Sequence, residues 1–141
     1  MSTTPVGTSY YKVCFGDTDA GGVVYHARYF EMAERGRNAL MEEFGVPVGP
    51  LFDDREIALV LRRASLEFIK FARYDENLRL ETGILKTNPA RTRWRTSIFN
   101  ARTLLCKVDV EIVCIDRKSK TLIPAPSDLA DVFQRLPEAR P

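Results

Sequence analysis

Residues 15–30 read Phe15-Gly16-Asp17-Thr18-Asp19-Ala20-Gly21-Gly22-Val23-Val24-Tyr25-His26-Ala27-Arg28-Tyr29-Phe30, and the rest of the chain is best read outward from them. Two carboxylates precede a glycine pair, and the glycine pair precedes a helix start. Glycine lets the backbone turn with positive φ and lets a ligand come close to it. The first-turn amides of a helix have no partner inside the helix and carry the positive end of its dipole, so they favour a developing negative charge. A carboxylate beside such amides can attack a polarised carbonyl or activate a water against it. The same residues also suit plain turn chemistry, with aspartate side chains bonding nearby amides and capping the helix, and His26 suits an exposed place in the first helical turn. Spacing leaves both readings open.

Upstream, residues 8–15 are rich in aromatic and β-branched types and predict a strand, cut off by the turn at Gly16-Asp17-Thr18-Asp19. Downstream, the period becomes helical from about Tyr25 to Phe44. Phe30, Ala33, Arg37, Leu40, Met41 and Phe44 share one stripe, Glu31, Glu34, Glu42 and Glu43 lie elsewhere, and Gly45 and Pro47 stop the run. Gly36, in mid-helix, costs about 1 kcal/mol against alanine, which predicts a close approach to a packed sheet.

After a loop at 49–55, strands are predicted near 57–71, 77–87, 91–101 and 104–116, with turn signals at Arg73-Tyr74-Asp75-Glu76-Asn77, Asn88-Pro89 and Asn100-Ala101-Arg102. Alternation is clearest late. Leu78, Leu80, Thr82 and Ile84 oppose Arg79, Glu81 and Gly83, and Cys106, Val108, Val110, Ile112 and Cys114 oppose Lys107, Asp109 and Glu111. Hairpin-length joins predict an antiparallel sheet with one apolar face. Ser127 reads as the N-cap of a short final helix near 127–135. The fold class is therefore α+β over one domain, 1–141: a five-stranded antiparallel sheet wrapped around one long helix of ~30 Å. Such a layer leaves a sheet edge uncovered, and pairing of edge strands between two subunits predicts a homodimer.

Composition narrows the function classes. With 141 residues, 45% hydrophobic and 28% charged, the profile is that of a globular domain that buries about two-thirds of its unfolded surface. Lysine plus arginine (21) against aspartate plus glutamate (19) gives +2, so no nucleic-acid partner is expected. No apolar run approaches the ~20 residues that span a bilayer, which predicts no membrane insertion. The start, Met1-Ser2-Thr3-Thr4-Pro5-Val6-Gly7, lacks a basic stretch followed by an apolar one, so a cytoplasmic location is expected. Cys14, Cys106 and Cys114 form no Cys-x-x-Cys pair and there is a single histidine, so no metal site and no disulfide framework are expected.

Asp-Thr-Asp-Ala-Gly-Gly-Val-Val-Tyr-His at 17–26, followed by Tyr29 and Glu34-Arg35, closely resembles the signature of the hotdog-fold acyl-CoA thioesterases of the 4-hydroxybenzoyl-CoA thioesterase family, especially the Tol-Pal-associated branch. The resemblance continues through Ser65-Leu66-Glu67-Phe68 and Ala72-Arg73-Tyr74-Asp75, over about residues 10–116. It implies a sheet wrapped around one long helix and hydrolysis of an acyl-coenzyme A thioester to a carboxylic acid and coenzyme A. It implies further that Asp19 is the catalytic carboxylate, with the backbone amide at His26 polarising the thioester carbonyl. Asp17 would then be a supporting residue, and the His26 side chain would position substrate or move a proton. Gly22, Tyr25 and Tyr29 would line or buttress the pocket. No cofactor is implied, since coenzyme A belongs to the substrate. A homodimer or homotetramer is implied, with an acyl carrier protein as a possible further partner.

Coenzyme A carries several phosphate charges and calls for basic side chains. Arg91, Arg93 and Arg95 alternate along one strand and share a face, with Lys86 and Lys70 nearby in the sequence, and Arg91 leads because it begins that strand beside the Asn88-Pro89 turn. A solvated strand face would show the same pattern. The rival to an enzyme is a non-catalytic module that binds acyl-CoA or an acyl carrier protein, which would retain the thioester without releasing thiol.

Overall fold

The computed structural model describes residues 6–141, so the first five residues, read above for a leader, lie outside it. In chain order it contains β1 (Gly7–Lys12), a 3-10 turn (Phe15–Asp17), α1 (His26–Glu43), α2 (Val48–Asp53), β2 (Ile57–Phe68), β3 (Asn77–Asn88), β4 (Arg91–Asn100), β5 (Thr103–Asp116), β6 (Thr121–Ile123) and α3 (Ser127–Arg135). The strands form one antiparallel sheet in the order β1-β3-β4-β5-β2, with β6 added on β5. This is the α+β hotdog arrangement expected from the sequence. No described helix is long and apolar enough to cross a membrane.

The sheet buries one face against α1. Tyr29, Met32, Ala33, Leu40 and Met41 of the helix meet Leu78, Leu80, Trp94, Ile98, Cys106 and Val108 of the strands in a single core. Gly36 permits the approach, since a Cβ there would stand 2.6 Å from Thr82 Oγ1. α3 closes the core beside β4, where the Phe133 ring meets Trp94 edge-on at 6.1 Å.

The structure departs from the sequence expectations in six places. β1 stops at Lys12 rather than residue 15, because Asp17 draws its carboxylate back to the Cys14 amide and coils the chain. Residues 49–55, expected as loop, contain most of α2. Pro50 sits in its first turn, where no backbone N–H is needed, and Leu51 supplies the buried contact. β2 ends at Phe68 rather than residue 71, as the Ile69 and Lys70 amides both turn onto the Leu105 carbonyl. A sixth strand, β6, was not expected. Pro126, not Ser127, is the N-cap of α3, and no side-chain cap bond is made. Finally, Glu81 and Gly83 are buried although they face away from the core. The C-terminal tail lies along β3 beyond the end of β1, bonding Ile84 through Pro137 and Ala139, while Arg140 pairs with Glu81.

Candidate active site

Asp17 is the fixed point of the acidic turn. The residue is 5% exposed; Oδ1 accepts the Tyr11 phenol at 2.9 Å and Oδ2 accepts the Cys14 amide at 2.8 Å. Its own carbonyl accepts the Tyr25 amide at 2.8 Å. One residue thus clamps the strand side and the helix side of the turn together. Burial first, and then the bond to Asp17, hold the Tyr11 phenol above its ordinary pKa, so it stays a donor.

Asp19, two residues on, is exposed and sits at the head of a tight turn. Its amide donates to the Val23 carbonyl at 2.9 Å, its carbonyl accepts the Gly22 amide at 3.0 Å, and its Oδ1 accepts the Gly21 amide at 2.8 Å. Gly22 has φ of 81°, a conformation glycine adopts without the penalty a Cβ would bring. Among the described residues, Asp19 Oδ2 has no hydrogen-bond partner. The aspartate therefore does turn chemistry with one oxygen and presents the other outward.

Beyond the turn, Val23 bridges Arg73, and the Val24 amide donates to Ala72 at 2.9 Å. The Ala72 amide donates in turn to the Tyr29 hydroxyl at 3.1 Å. Tyr29 is fully buried, so of lining and buttressing it does the second, holding the segment after β2 against the first turns of α1. Helix α1 begins at His26 with Tyr25 as N-cap and no side-chain cap bond. Among the described residues, the amides of His26 and Ala27 find no acceptor, whereas that of Arg28 bonds to Tyr25 at 2.9 Å. Two unpaired donors thus stand at the positive end of an 18-residue helix that begins seven positions after Asp19. Around them lies an aromatic rim: Tyr25 against His26 at 4.4 Å, Phe15 stacked on Tyr74 at 3.7 Å, and Phe68 beside Phe71 at 5.7 Å.

Asp17, Asp19, Gly22, Tyr25, His26 and Tyr29 are brought together; Arg91 is not. Arg91 opens β4, while the acidic turn lies at the end of the sheet where β4 finishes, roughly 30 Å away along a ten-residue strand. There Arg91 lies 3.5 Å from Glu111, which also takes Arg62 at 3.0 Å. Lys86, Arg91 and Arg93 line a cavity of about 240 Å³ on the outer face of the sheet, together with Asn88 and Glu111. Arg95 is committed to Asp109 through two bonds of 2.8 and 3.0 Å, and Lys70 lies toward the other end. Sequence reasoning missed Tyr11, Ala72 and Arg62. The alternation of β1 carried a signal for Tyr11 and the resemblance at Ala72-Arg73-Tyr74-Asp75 one for Ala72, while nothing local marks Arg62.

Several known proteins are similar to this chain in sequence or fold. The chain is 36% identical over 106 residues to an acyl-CoA thioester hydrolase YbgC of Escherichia coli, covering 74% of this chain and 78% of the relative. It is 27% identical over 125 residues to the acyl-CoA thioesterase YbgC of Haemophilus influenzae, covering 89% and 92%. A crystal structure of a probable thioesterase from Bartonella henselae superposes with a TM-score of 0.81 at 30% identity, over 86% of this chain and 99% of that one. Residues 13–133, from just before the acidic turn to the last turn of α3, match the thioesterase-like superfamily, and the chain belongs to that family.

Proposed function

We propose that this protein hydrolyses acyl-coenzyme A thioesters, with Asp19 as the reacting carboxylate and the His26 amide as the donor to the carbonyl oxygen. The observation that carries this reading is the pair of unpaired amides at the start of α1, held beside an exposed carboxylate by the Asp17 clamp. A thioester carbonyl bonded to the His26 amide becomes electrophilic, and the amide stabilises the oxyanion as it forms. Asp19 then acts in one of two ways. Its carboxylate attacks the carbonyl, expels the coenzyme A thiolate and leaves a mixed anhydride that water opens. Alternatively it takes a proton from a water that attacks directly. The names of the two YbgC relatives support an acyl-CoA substrate.

The second part of the proposal is a homodimer formed through β2. That strand is one of the two edges of the sheet, β1 being the other, and exposes Val60, Leu61 and Phe68. Two-fold pairing of β2 with its copy sets the two strands antiparallel. It brings the Arg91 end of one subunit beside the Asp19 end of the other, so the cavity of Lys86, Arg91 and Arg93 serves the phosphates of a coenzyme A bound at the partner's turn. Pairing of two such dimers, or delivery of the acyl group by a carrier protein, is compatible with this arrangement.

The test is release of free thiol from short, long and aromatic acyl-CoAs, with sedimentation run alongside. Turnover by a dimer is the expected result. Saturable binding of acyl-CoA without thiol release would replace the enzyme by a binding module, and an active monomer would remove the two-subunit site.

A further inference from the structure

The charge alternation of β5 ends at Ile112. Val113 and Ile115 occupy positions that face away from α1, where Lys107, Asp109 and Glu111 stand earlier in the strand. Val113 is 7% exposed and yet lies outside the core cluster that packs on the helix. Its neighbours continue the apolar surface. Val60 of β2 pairs with Val113 and Leu122 of β6 pairs with Ile115, and residues paired across antiparallel strands share one face of the sheet. Leu122 is 65% exposed. An apolar patch that the core does not use thus lies on the outer face, at the end where β4 stops and β6 follows it along β5.

A cavity of about 450 Å³ opens over this patch. Val113, Leu122, Ile123, Pro124 and Ala90 form its apolar walls, and the guanidinium groups of Arg62 and Arg91 complete it. The register of β2 on β5 shifts between Leu61 and Arg63, which places Arg62 at a bulge, and a bulge re-aims the side chain it carries. Glu111 meets both arginines, Arg62 at 3.0 Å and Arg91 at 3.5 Å. A guanidinium that meets a carboxylate along its edge keeps its planar faces for stacking. Arg91 also lines the cavity of Lys86, Asn88, Arg93 and Glu111, so the apolar cavity and the cationic one adjoin at that residue.

Apolar walls, two guanidinium planes and adjoining cations are the surroundings that suit a nucleotide, whose base stacks while its phosphates pair alongside. A second copy of the chain suits them less. Two-fold contact of the patch with itself would set Arg62 and Arg91 against the same pair of the other copy, and like charges oppose that. We infer that the cavity of Val113 and Leu122 receives the adenine base of coenzyme A, from which the ribose leads the phosphates into the cavity of Lys86, Arg91 and Arg93. The inference rests on the acyl-CoA reading above, including the pairing of subunits that brings the Arg91 end to the partner's turn. Leu122 is then a specificity-determining residue that favours thioesters of coenzyme A over those of phosphopantetheine, which has no adenosine, and it takes no part in bond cleavage.

The probes are adenosine 3′,5′-bisphosphate, which carries the base, and inorganic pyrophosphate, which carries charge alone. Their affinities are measured by calorimetry with the wild type and with Leu122→Thr, an exposed substitution that keeps a strand-forming residue in β6. The nucleotide is expected to bind the wild type about tenfold more tightly than Leu122→Thr, with pyrophosphate bound alike by both. In thiol release the same factor should appear in KM for acyl-CoA rather than in kcat, and be absent with acyl-phosphopantetheine. Equal nucleotide affinity in the two proteins overturns the inference. So does an equal loss for nucleotide and pyrophosphate, which would mean that Leu122 serves the shape of β6. Sedimentation adds a third way to fail: a smaller species in Leu122→Thr with nucleotide affinity unchanged would give the patch to a second copy. Because calorimetry needs no turnover, the nucleotide preference without thiol release would support the base site and count against the thioesterase reading, and thiol release without the preference would do the reverse.

Discussion

Asp17 and Asp19 stand two residues apart and divide the work of the turn: the Asp17 carboxylate is buried and accepts two protein hydrogen bonds, while the Asp19 carboxylate is exposed and keeps one oxygen outward. Asp17→Asn would place an amide donor against either the Cys14 N–H or the Tyr11 hydroxyl. It is expected to destabilise the protein by about 1–3 kcal/mol in urea unfolding. Asp19→Asn should stay within about 0.5 kcal/mol of the wild type, as an exposed substitution does. Equal destabilisation by both would contradict the division.

Gly36→Ala sets helix propensity against packing. Alanine gains about 1 kcal/mol in the helix, but its Cβ meets Thr82 Oγ1 at 2.6 Å, and that hydroxyl is held by Thr96 at 3.1 Å in the buried sheet face. Overpacking of about 1–3 kcal/mol should win, lowering Tm. Adding Thr82→Ala should recover part of the loss, giving a coupling that a double-mutant cycle reads directly. A Gly36→Ala protein more stable than the wild type would show that the sheet can yield.

Two thiols make the fold sensitive to alkali. Burial pushes Cys106 up to about 12 and raises Cys114 as well. A thiol whose folded pKa lies above its unfolded value of about 8.5 contributes fully below that pH. The contribution is then lost as pH rises toward the folded pKa, by at most about 1.4 kcal/mol per pH unit for each thiol. Unfolding followed from pH 7 to 11 should therefore show stability falling from about pH 9, and Cys106→Ala should flatten the slope while lowering the plateau. An unchanged slope in that variant would remove Cys106 as its source.

Removing residues 137–141 should cost about 1–3 kcal/mol, because two backbone bonds to Ile84 and the Arg140 partner of buried Glu81 are lost together. Thermal unfolding of the truncated chain checks it. Glu81 keeps Arg79 at 3.4 Å, so Glu81→Gln should recover little of that loss.

The long helix and the late strands were legible because their signals are local. β5 alternates charge with apolar residues from Cys106 to Ile112, and α1 keeps its stripe to a glycine–proline stop. α2 was hidden because Pro50 reads as a breaker until its place in a first turn is known, and β6 because three residues carry too little pattern. The burial of Glu81 and Gly83 depends on a tail more than fifty residues away, which no alternation rule reaches. At the site, the acidic turn and the helix start were readable from one segment. The distance of Arg91 from Asp19 was not, since it follows from the register of β3 on β4.

The most direct test of the central claim is the rate of thiol release from the acyl-CoA that the wild type turns over best, measured side by side with Asp19→Asn at matched protein concentration. Loss of the carboxylate should lower kcat by about a hundredfold to ten-thousandfold with the fold intact. Equal rates in the two proteins would take Asp19 out of the chemistry and contradict the account.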